Sequence, residues 1–131
     1  MEEELRAIIA GDPAVLDLVP GDSIVWGRRN GLPAVALWRV TGRPDYHLKG
    51  ASGLEESVVQ IDCWGASYGQ AKMLARAIKA VISGRHGGVF RSIFIDNERD
   101  GHEAADGASD PDTPSDFYRT SLDARVWSTV S

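Results

Sequence analysis

Glu55-Glu56-Ser57-Val58-Val59-Gln60-Ile61-Asp62-Cys63-Trp64 runs through Gly65-Ala66 into Ser67-Tyr68-Gly69-Gln70 and an alanine-rich stretch ending at Ser83. The first part alternates. Val59, Ile61 and Cys63 share one face of an extended chain, and Val58, Gln60, Asp62 and Trp64 share the other. The second part changes period. Ala71, Leu74, Ala75, Ile78, Val81 and Ile82 fall on one stripe of a helix, with Lys72, Arg76 and Lys79 on the remaining surface. Ser67 is placed to cap that helix, and Gln70 stands three residues later as in a capping box. Gly84 is a natural stop. A strand half-buried on one face, followed at once by a helix with one apolar stripe, predicts a sheet covered by that helix.

Outward from this pair the same signals recur. Upstream, Ala34 to Thr41 is a strand by composition, apolar on both faces near its middle, which predicts cover on both sides. Ser23 to Trp26 is a short β-branched strand. Leu5, Ile8 and Ile9 mark an N-terminal helix. Asp12-Pro13 restarts a helix, with the aspartate as N-cap and the proline at the first position. Between the two upstream and central strands, Gly42 to Gly53 reads as a loop punctuated by Gly42, Pro44, Asp45, Gly50 and Gly53. Downstream, Val89 to Glu98 reads as a strand, with Val89, Arg91, Ile93 and Ile95 on one side and Phe90, Ser92, Phe94 and Asp96 on the other. Phe117 to Ser128 is the last strand. Tyr118, Thr120, Leu122, Ala124 and Val126 point one way. Arg119, Ser121, Asp123, Arg125 and Trp127 point the other. The order predicts an α+β fold. Its sheet is mostly antiparallel, of about four to five strands, packed against one long amphipathic helix, with an N-terminal helix beside it. A length of 131 residues predicts a single domain over 1–131.

The net charge of −5 is unevenly placed. The segment 96–116 holds eight acids (Asp96, Glu98, Asp100, Glu103, Asp106, Asp110, Asp112, Asp116) against Arg99 alone. The rest of the chain is slightly basic, so the acidity belongs to one segment, read here as a solvated loop over Arg99–Ser115. A generic nucleic-acid binder would be basic, and the composition argues against one. One cysteine excludes an intramolecular disulfide and favours a reducing compartment. The acidic Met1-Glu2-Glu3-Glu4 start does not read as a signal peptide, and no run approaches a membrane span. A cytosolic protein, or one assembled from the cytosol, is expected.

Chemistry-bearing patterns are sparse. Asp96-x-Glu98-x-Asp100-Gly101 has the opening of a calcium loop, but Gly107 stands where a bidentate glutamate belongs, and the flank reads as strand. The histidines His47, His86 and His102 are scattered, with no zinc spacing. Cys63 lies on an apolar strand face and reads as a buried thiol rather than a nucleophile. No Gly-x-Ser-x-Gly, phosphate loop or dinucleotide fingerprint occurs. These residues predict no enzyme, no cofactor and no metal. Four tryptophans, with arginines near Trp38, Trp64 and Trp127, fit either core packing or a protein–protein hot spot.

Two stretches carry a family resemblance. One is Thr41-Gly42-Arg43-Pro44-Asp45-Tyr46 through Gly53-Leu54 to Val59-Gln60-Ile61-Asp62-Cys63-Trp64 and Ser67-Tyr68. The other is Phe94-Ile95-Asp96-Asn97-Glu98-Arg99-Asp100, then Tyr118-Arg119-Thr120-Ser121-Leu122-Asp123 with Val126-Trp127. With the opening Leu5 and Asp12-Pro13-Ala14-Val15, the chain resembles the tail-completion, or tail-terminator, proteins of long-tailed phages, prophages and gene transfer agents. The resemblance implies a structural virion protein in the tail or neck of a phage-like particle. Six copies would form a ring that caps the tail tube, ends its polymerisation and offers the joining surface to the head. Implied partners are other copies of itself in a homohexamer, the tail tube protein and a head-side stopper or neck protein. DNA would pass through the lumen without sequence-specific binding. The candidate interface residues are Arg43, Asp45, Tyr46, His47 and Lys49 in the first loop, Asp100, Glu103 and Asp106 in the acidic segment, and Arg119, Arg125 and Trp127 on the last strand. The acidic segment is expected either to repel DNA at the lumen or to dock a basic neighbour. The alternatives are another head–tail connector or neck protein, or a small ligand-binding domain or enzyme.

Overall fold

The computed structural model describes residues 1–27, 33–47, 50–104 and 116–129, and side chains within them outside 41–53 and 102–117. The elements run α1 (Glu2–Ala10), α2 (Pro13–Leu16), a 3-10 turn (Gly21–Ser23), β1 (Ile24–Trp26), β2 (Ala34–His47), β3 (Gly50–Gly65), α3 (Tyr68–Ile82), β4 (Phe90–Ala104) and β5 (Asp116–Thr129). The fold is α+β. Its five strands lie in the order β1-β2-β3-β5-β4.

The sheet is mixed, where a mostly antiparallel one was expected. β2, β3, β5 and β4 pair antiparallel, but β1 joins β2 in parallel, Ile24 beside Val35 and Trp26 beside Leu37. Alternation reports which face a residue takes, not which way a three-residue strand runs. The direction of β1 is set by α1. The Trp26 indole donates to the Glu2 carbonyl at 3.0 Å, and the Arg6 guanidinium donates to the Ile24 carbonyl at 2.7 Å.

β3 and α3 pack together, but the helical cover is shared by α1, α2 and α3, where one long helix beside an N-terminal one was expected. Val59, Ile61 and Cys63 are fully buried, as are Leu74, Ala75, Ile78 and Ile82. Leu5 and Ile9 of α1, with Val15 and Val19, extend this core over Val35 and Leu37. Leu122, Ala124 and Val126 of β5 complete it. The Ser67 hydroxyl accepts from the Gln70 amide at 3.1 Å, and the Gln70 side chain accepts from the Ala66 amide at 2.7 Å. That is a capping box displaced by one residue. Gly65 is required at this tight junction, because a Cβ there would stand 2.8 Å from the Ala71 amide nitrogen. Helices cover one face of the sheet, whereas cover on both faces was expected from Ala34–Thr41. On the open face Ala34 and Ala36 are buried with no helix over them among the described residues, Ala34 opposite Trp64 and Ala36 opposite Asp62.

Two expected loops are strands. Gly42 to His47 continues β2, and Gly50 to Gly53 opens β3, as one hairpin. Register shifts between Arg39 and Thr41, and between Pro44 and Tyr46, absorb the residues that read as turn signals. Likewise β4 continues through Asp96–Ala104, so the acidic stretch is extended chain up to Ala104. The expected loop over 105–115 lies outside the described residues. Phe90 also differs. It was expected beside Phe94, yet it is 4% exposed where Phe94 is 46%. A register shift between Phe90 and Ser92 turns Phe90 inward with Ile93.

Candidate functional site

The two hairpins point away from each other. The β3–β5 ladder runs from Leu54↔Thr129 to Gly65↔Tyr118. Beyond Leu54, Gly50–Gly53 pair only with β2, whose Arg43, Asp45, Tyr46 and His47 lie in this overhang or at its root. Beyond Gly65, Phe117 and Asp116 pair only with Glu103 and Ala104 of β4. The 16 residues of β3 span roughly 50 Å, so these hairpin ends lie far apart. The sequence grouped Arg43, Asp45, Tyr46 and His47 with Asp100 and Glu103 as loop residues. The structure puts all six on strands, the first four toward one end and the other two toward the opposite end. Lys49 and Asp106 lie outside the described residues.

The open face is the second candidate surface. β5 contributes Arg119, Arg125 and Trp127 to it, as expected. The Arg119 guanidinium lies over the Trp64 ring, 5.4 Å from its centroid, and that of Arg125 over the Phe94 ring at 5.3 Å. Arg125 also reaches Asp96 at 3.4 Å. Arg99 pairs with Asp123, which raises the arginine's already high pKa. Asp62, only 5% exposed, accepts from the Ser121 hydroxyl at 2.6 Å and from the Gln60 amide at 2.9 Å. The middle of the face is therefore polar and internally paired. Its margins are apolar: Trp38 and Val40 on β2 are 46% and 56% exposed, and Phe94 on β4 matches Trp38. The sequence flagged Trp38 as a strand tryptophan and missed Val40 and Phe94. Their signal is an apolar side chain on the solvent face of an end strand, which needs the strand order to be seen.

Asp100 faces the helix side instead. A second register shift, between Ile95 and Asn97, brings Glu98 and Asp100 round to α3. Asp100 takes hydrogen bonds from Lys72 at 3.1 Å, Tyr68 at 2.9 Å and Thr120 at 3.1 Å. The Lys72 ammonium, then the Tyr68 hydroxyl, hold its carboxyl below the usual carboxylate range. Lys79 reaches Glu98 at 3.2 Å. This cluster clamps α3 to β4. The calcium-loop reading of Asp96–Gly101 fails on the same geometry, because these residues alternate along a strand.

Among the described residues, no three His, Cys, Asp or Glu side chains converge to hold a metal. Cys63 is fully buried, and burial pushes its thiol pKa well up. A shallow groove of about 400 Å³ lies between α1 and the end of α3, lined mainly by Ala7, Ile8, Pro13, Val81 and Arg85. Among the described residues, no helix is long and apolar enough to cross a membrane.

The family model of tail completion protein gp17 matches residues 3–129. The chain belongs to that family. Membership gives this tail completion protein a structural role in a phage-type tail. No curated protein matches the sequence. Among solved structures, a chain from the virion of a native gene transfer agent particle superposes with a TM-score of 0.65. The match covers 95% of this chain and 91% of that one, at 17% identity. At that identity the likeness is one of fold.

Proposed function

We propose that this chain is a tail terminator, acting as a single domain over 1–131. Six copies form a ring that caps the last ring of the tail tube, ends its growth and presents the joining surface for a head-side neck protein. DNA passes through the lumen without being read. The work is that of a subunit of a phage or gene-transfer-agent particle, assembled from the host cytoplasm, and not of an enzyme.

The observation that carries this reading is the pair of hairpins at opposite ends of one sheet, in a chain matched to the family over 3–129. A terminator must bind a tube end on one side and a different protein on the other, and must not do both with the same surface. Strand order provides two separate surfaces. The β2–β3 hairpin, with Arg43, Asp45, Tyr46 and His47, serves one side. The acidic β4–β5 end, with Glu103, serves the other. Arginine and tyrosine are the residue types that most often anchor such contacts.

Tube protein polymerised with and without this chain gives the test. Capped tubes of limited length, with a ring of this subunit at one end, are expected by electron microscopy. Tubes that grow unchecked in its presence would overturn the proposal. Binding to a head-side protein but not to tube would favour a neck connector instead. Arg43→Ala and Tyr46→Ala are expected to weaken capping at unchanged melting temperature.

A further inference from the structure

Most of the described cations are already engaged inside the chain. Arg6 bonds to the Ile24 and Gly21 carbonyls, and Arg39 pairs with Glu2 and Glu55. Lys72 and Lys79 hold Asp100 and Glu98. On the open face Arg99 and Arg125 meet carboxylates, and Arg119 lies over Trp64. Arg76, Arg85 and Arg91 are the exceptions. All three are exposed and make no ion pair among the described residues. They gather at one corner of the molecule.

The turn after α3 builds that corner. The Gly84 amide donates to the Ile93 carbonyl at 2.8 Å, and Gly87 and Phe90 exchange two hydrogen bonds of 2.9 Å. Residues 84–87 are thereby laid against the start of β4, and His86 falls across from Arg91. Gly88-Val89 form the two-residue loop between the bridge partners, with Gly88 at φ +57, the conformation that favours glycine there. The His86, Gly88 and Val89 amides meet no acceptor among the described residues. The turn therefore offers free N–H donors beside Arg85 and Arg91, an arrangement that suits anionic oxygens. Arg76 stands on the exposed side of α3, less than about two turns before its end. Arg85 also closes the groove between α1 and α3, whose other walls include the apolar Ile8, Val81 and Pro13. Cations, free amides and an apolar groove thus meet at one place.

We infer that this corner docks an acidic segment of a different protein, with an apolar side chain in the groove and carboxylates on Arg85 and Arg91. The inference rests on the proposed function only in taking that protein to be another subunit of the particle. A nucleic-acid backbone would satisfy the arginines and leave the apolar groove unfilled. A neighbouring copy of this chain is excluded by distance. β4 begins at this corner and ends at the acidic tip with Glu103, and its 15 residues span roughly 50 Å. Copies standing level in one ring cannot bring the two together. The corner also lies at a defined end of the sheet. Phe90 pairs with Ser128, and the Thr129 amide donates to the Val89 carbonyl at 2.8 Å. That is the end from which the β2–β3 hairpin projects, so both surfaces serve the same side of the subunit.

Photo-cross-linking in assembled particles tests this. The probe is p-benzoyl-phenylalanine at Ala7, an exposed residue of the groove, with Ala80 as a second position on the neighbouring surface of α3. Mass spectrometry is expected to find the cross-link on a peptide of another particle protein that is rich in Asp and Glu. A neutral or basic peptide, a second copy of this chain, DNA, or no cross-link at either position would overturn the inference. With the partner named, its affinity for the purified chain is measured for wild type and for Arg85→Glu with Arg91→Glu. The double variant is expected to bind at least about tenfold more weakly, with an unchanged melting temperature, because like charges then face each other. Lysine in place of the partner's carboxylates is expected to restore binding to the double variant. Unchanged affinity in the double variant, or no rescue, would also sink the assignment. Tube capping is scored separately. Uncapped tubes with an acidic cross-link would remove the terminator reading alone, and capped tubes without one would remove this docking site alone.

Discussion

Leu74 and Met73 are neighbours on α3 with opposite fates. Leu74 is fully buried against the sheet, and Met73 is 56% exposed. Leu74→Ala removes three carbons from the core. At about 0.8 kcal/mol each, the lost transfer free energy is about 2.5 kcal/mol. The cavity left between α3, β3 and β5 adds about 1 kcal/mol, because packed strands and a capped helix collapse only in part. The expected loss is about 3.5 kcal/mol, a large share of the 5–15 kcal/mol that holds a typical domain together. With an unfolding entropy of about 0.28 kcal/mol per kelvin for a chain of this length, that is about 12 °C in Tm. Met73→Ala removes an exposed side chain from the same helix and is expected to stay within about 0.5 kcal/mol. The assay is urea unfolding followed by circular dichroism and tryptophan fluorescence. It is run at one low protein concentration, because self-association would stabilise the folded form. A Leu74→Ala loss below about 1 kcal/mol, or an equal loss in Met73→Ala, would refute the seating of α3 on the sheet.

Other predictions follow from local geometry. The Asp12 carboxylate caps α2 by accepting from the Ala14 and Val15 amides at 2.9 and 3.2 Å, so Asp12→Ala is expected to cost about 1 kcal/mol by the same urea assay. Asp100 has a depressed folded pKa, held down first by the hydrogen bond from Lys72. Its stabilising contribution is therefore present above its ordinary pKa of 3.8 and is lost as pH falls through the lower folded value. Asp100→Asn is expected to flatten the acid limb of the stability profile below pH 4, by less than about 1 kcal/mol because the pair is solvent-screened. A mutant profile parallel to wild type would remove the clamp. The Cys63 thiol should resist a disulfide reagent in the folded protein and react on unfolding in urea, and rapid labelling of the native form would contradict its burial.

The legible parts of the sequence were those where one face meets a core. β3, α3 and β5 announced themselves because Val59, Ile61, Leu74, Ile78, Leu122 and Val126 had to be buried together. Strands that project beyond the core carry no such signal. Gly42, Pro44 and Asp45 have turn chemistry, yet they lie in a strand because main-chain pairing with β3 outweighs a propensity of about 1 kcal/mol. Asp100, in the segment Arg99–Ser115, also read as loop. It lies in strand with its charge met by Lys72 on α3, as those of Glu98 and Asp96 are met by Lys79 and Arg125. Bulges are silent in an alternation pattern, so the faces of Phe90, Glu98 and Asp100 could not be read off. The face taken by Arg119, Arg125 and Trp127 was legible because β5 alternates without interruption. Trp38, Val40 and Phe94 gain their meaning only from strand order, which depends on which segments meet across long stretches of chain.

That strand order has a consequence for how the molecule comes into being. β5 follows β4 in sequence, yet it lies between β3 and β4 and supplies Leu122, Ala124 and Val126 to the core. A nascent chain with residue 115 just emerged holds β1, β2 and β3 as one fragment and β4 as an orphan, with the middle of the sheet missing. The sheet is complete only when residues 116–129 have paired with β3 and β4. A nonsense or frameshift product that ends within β5 is therefore expected to reach the proteases rather than fold.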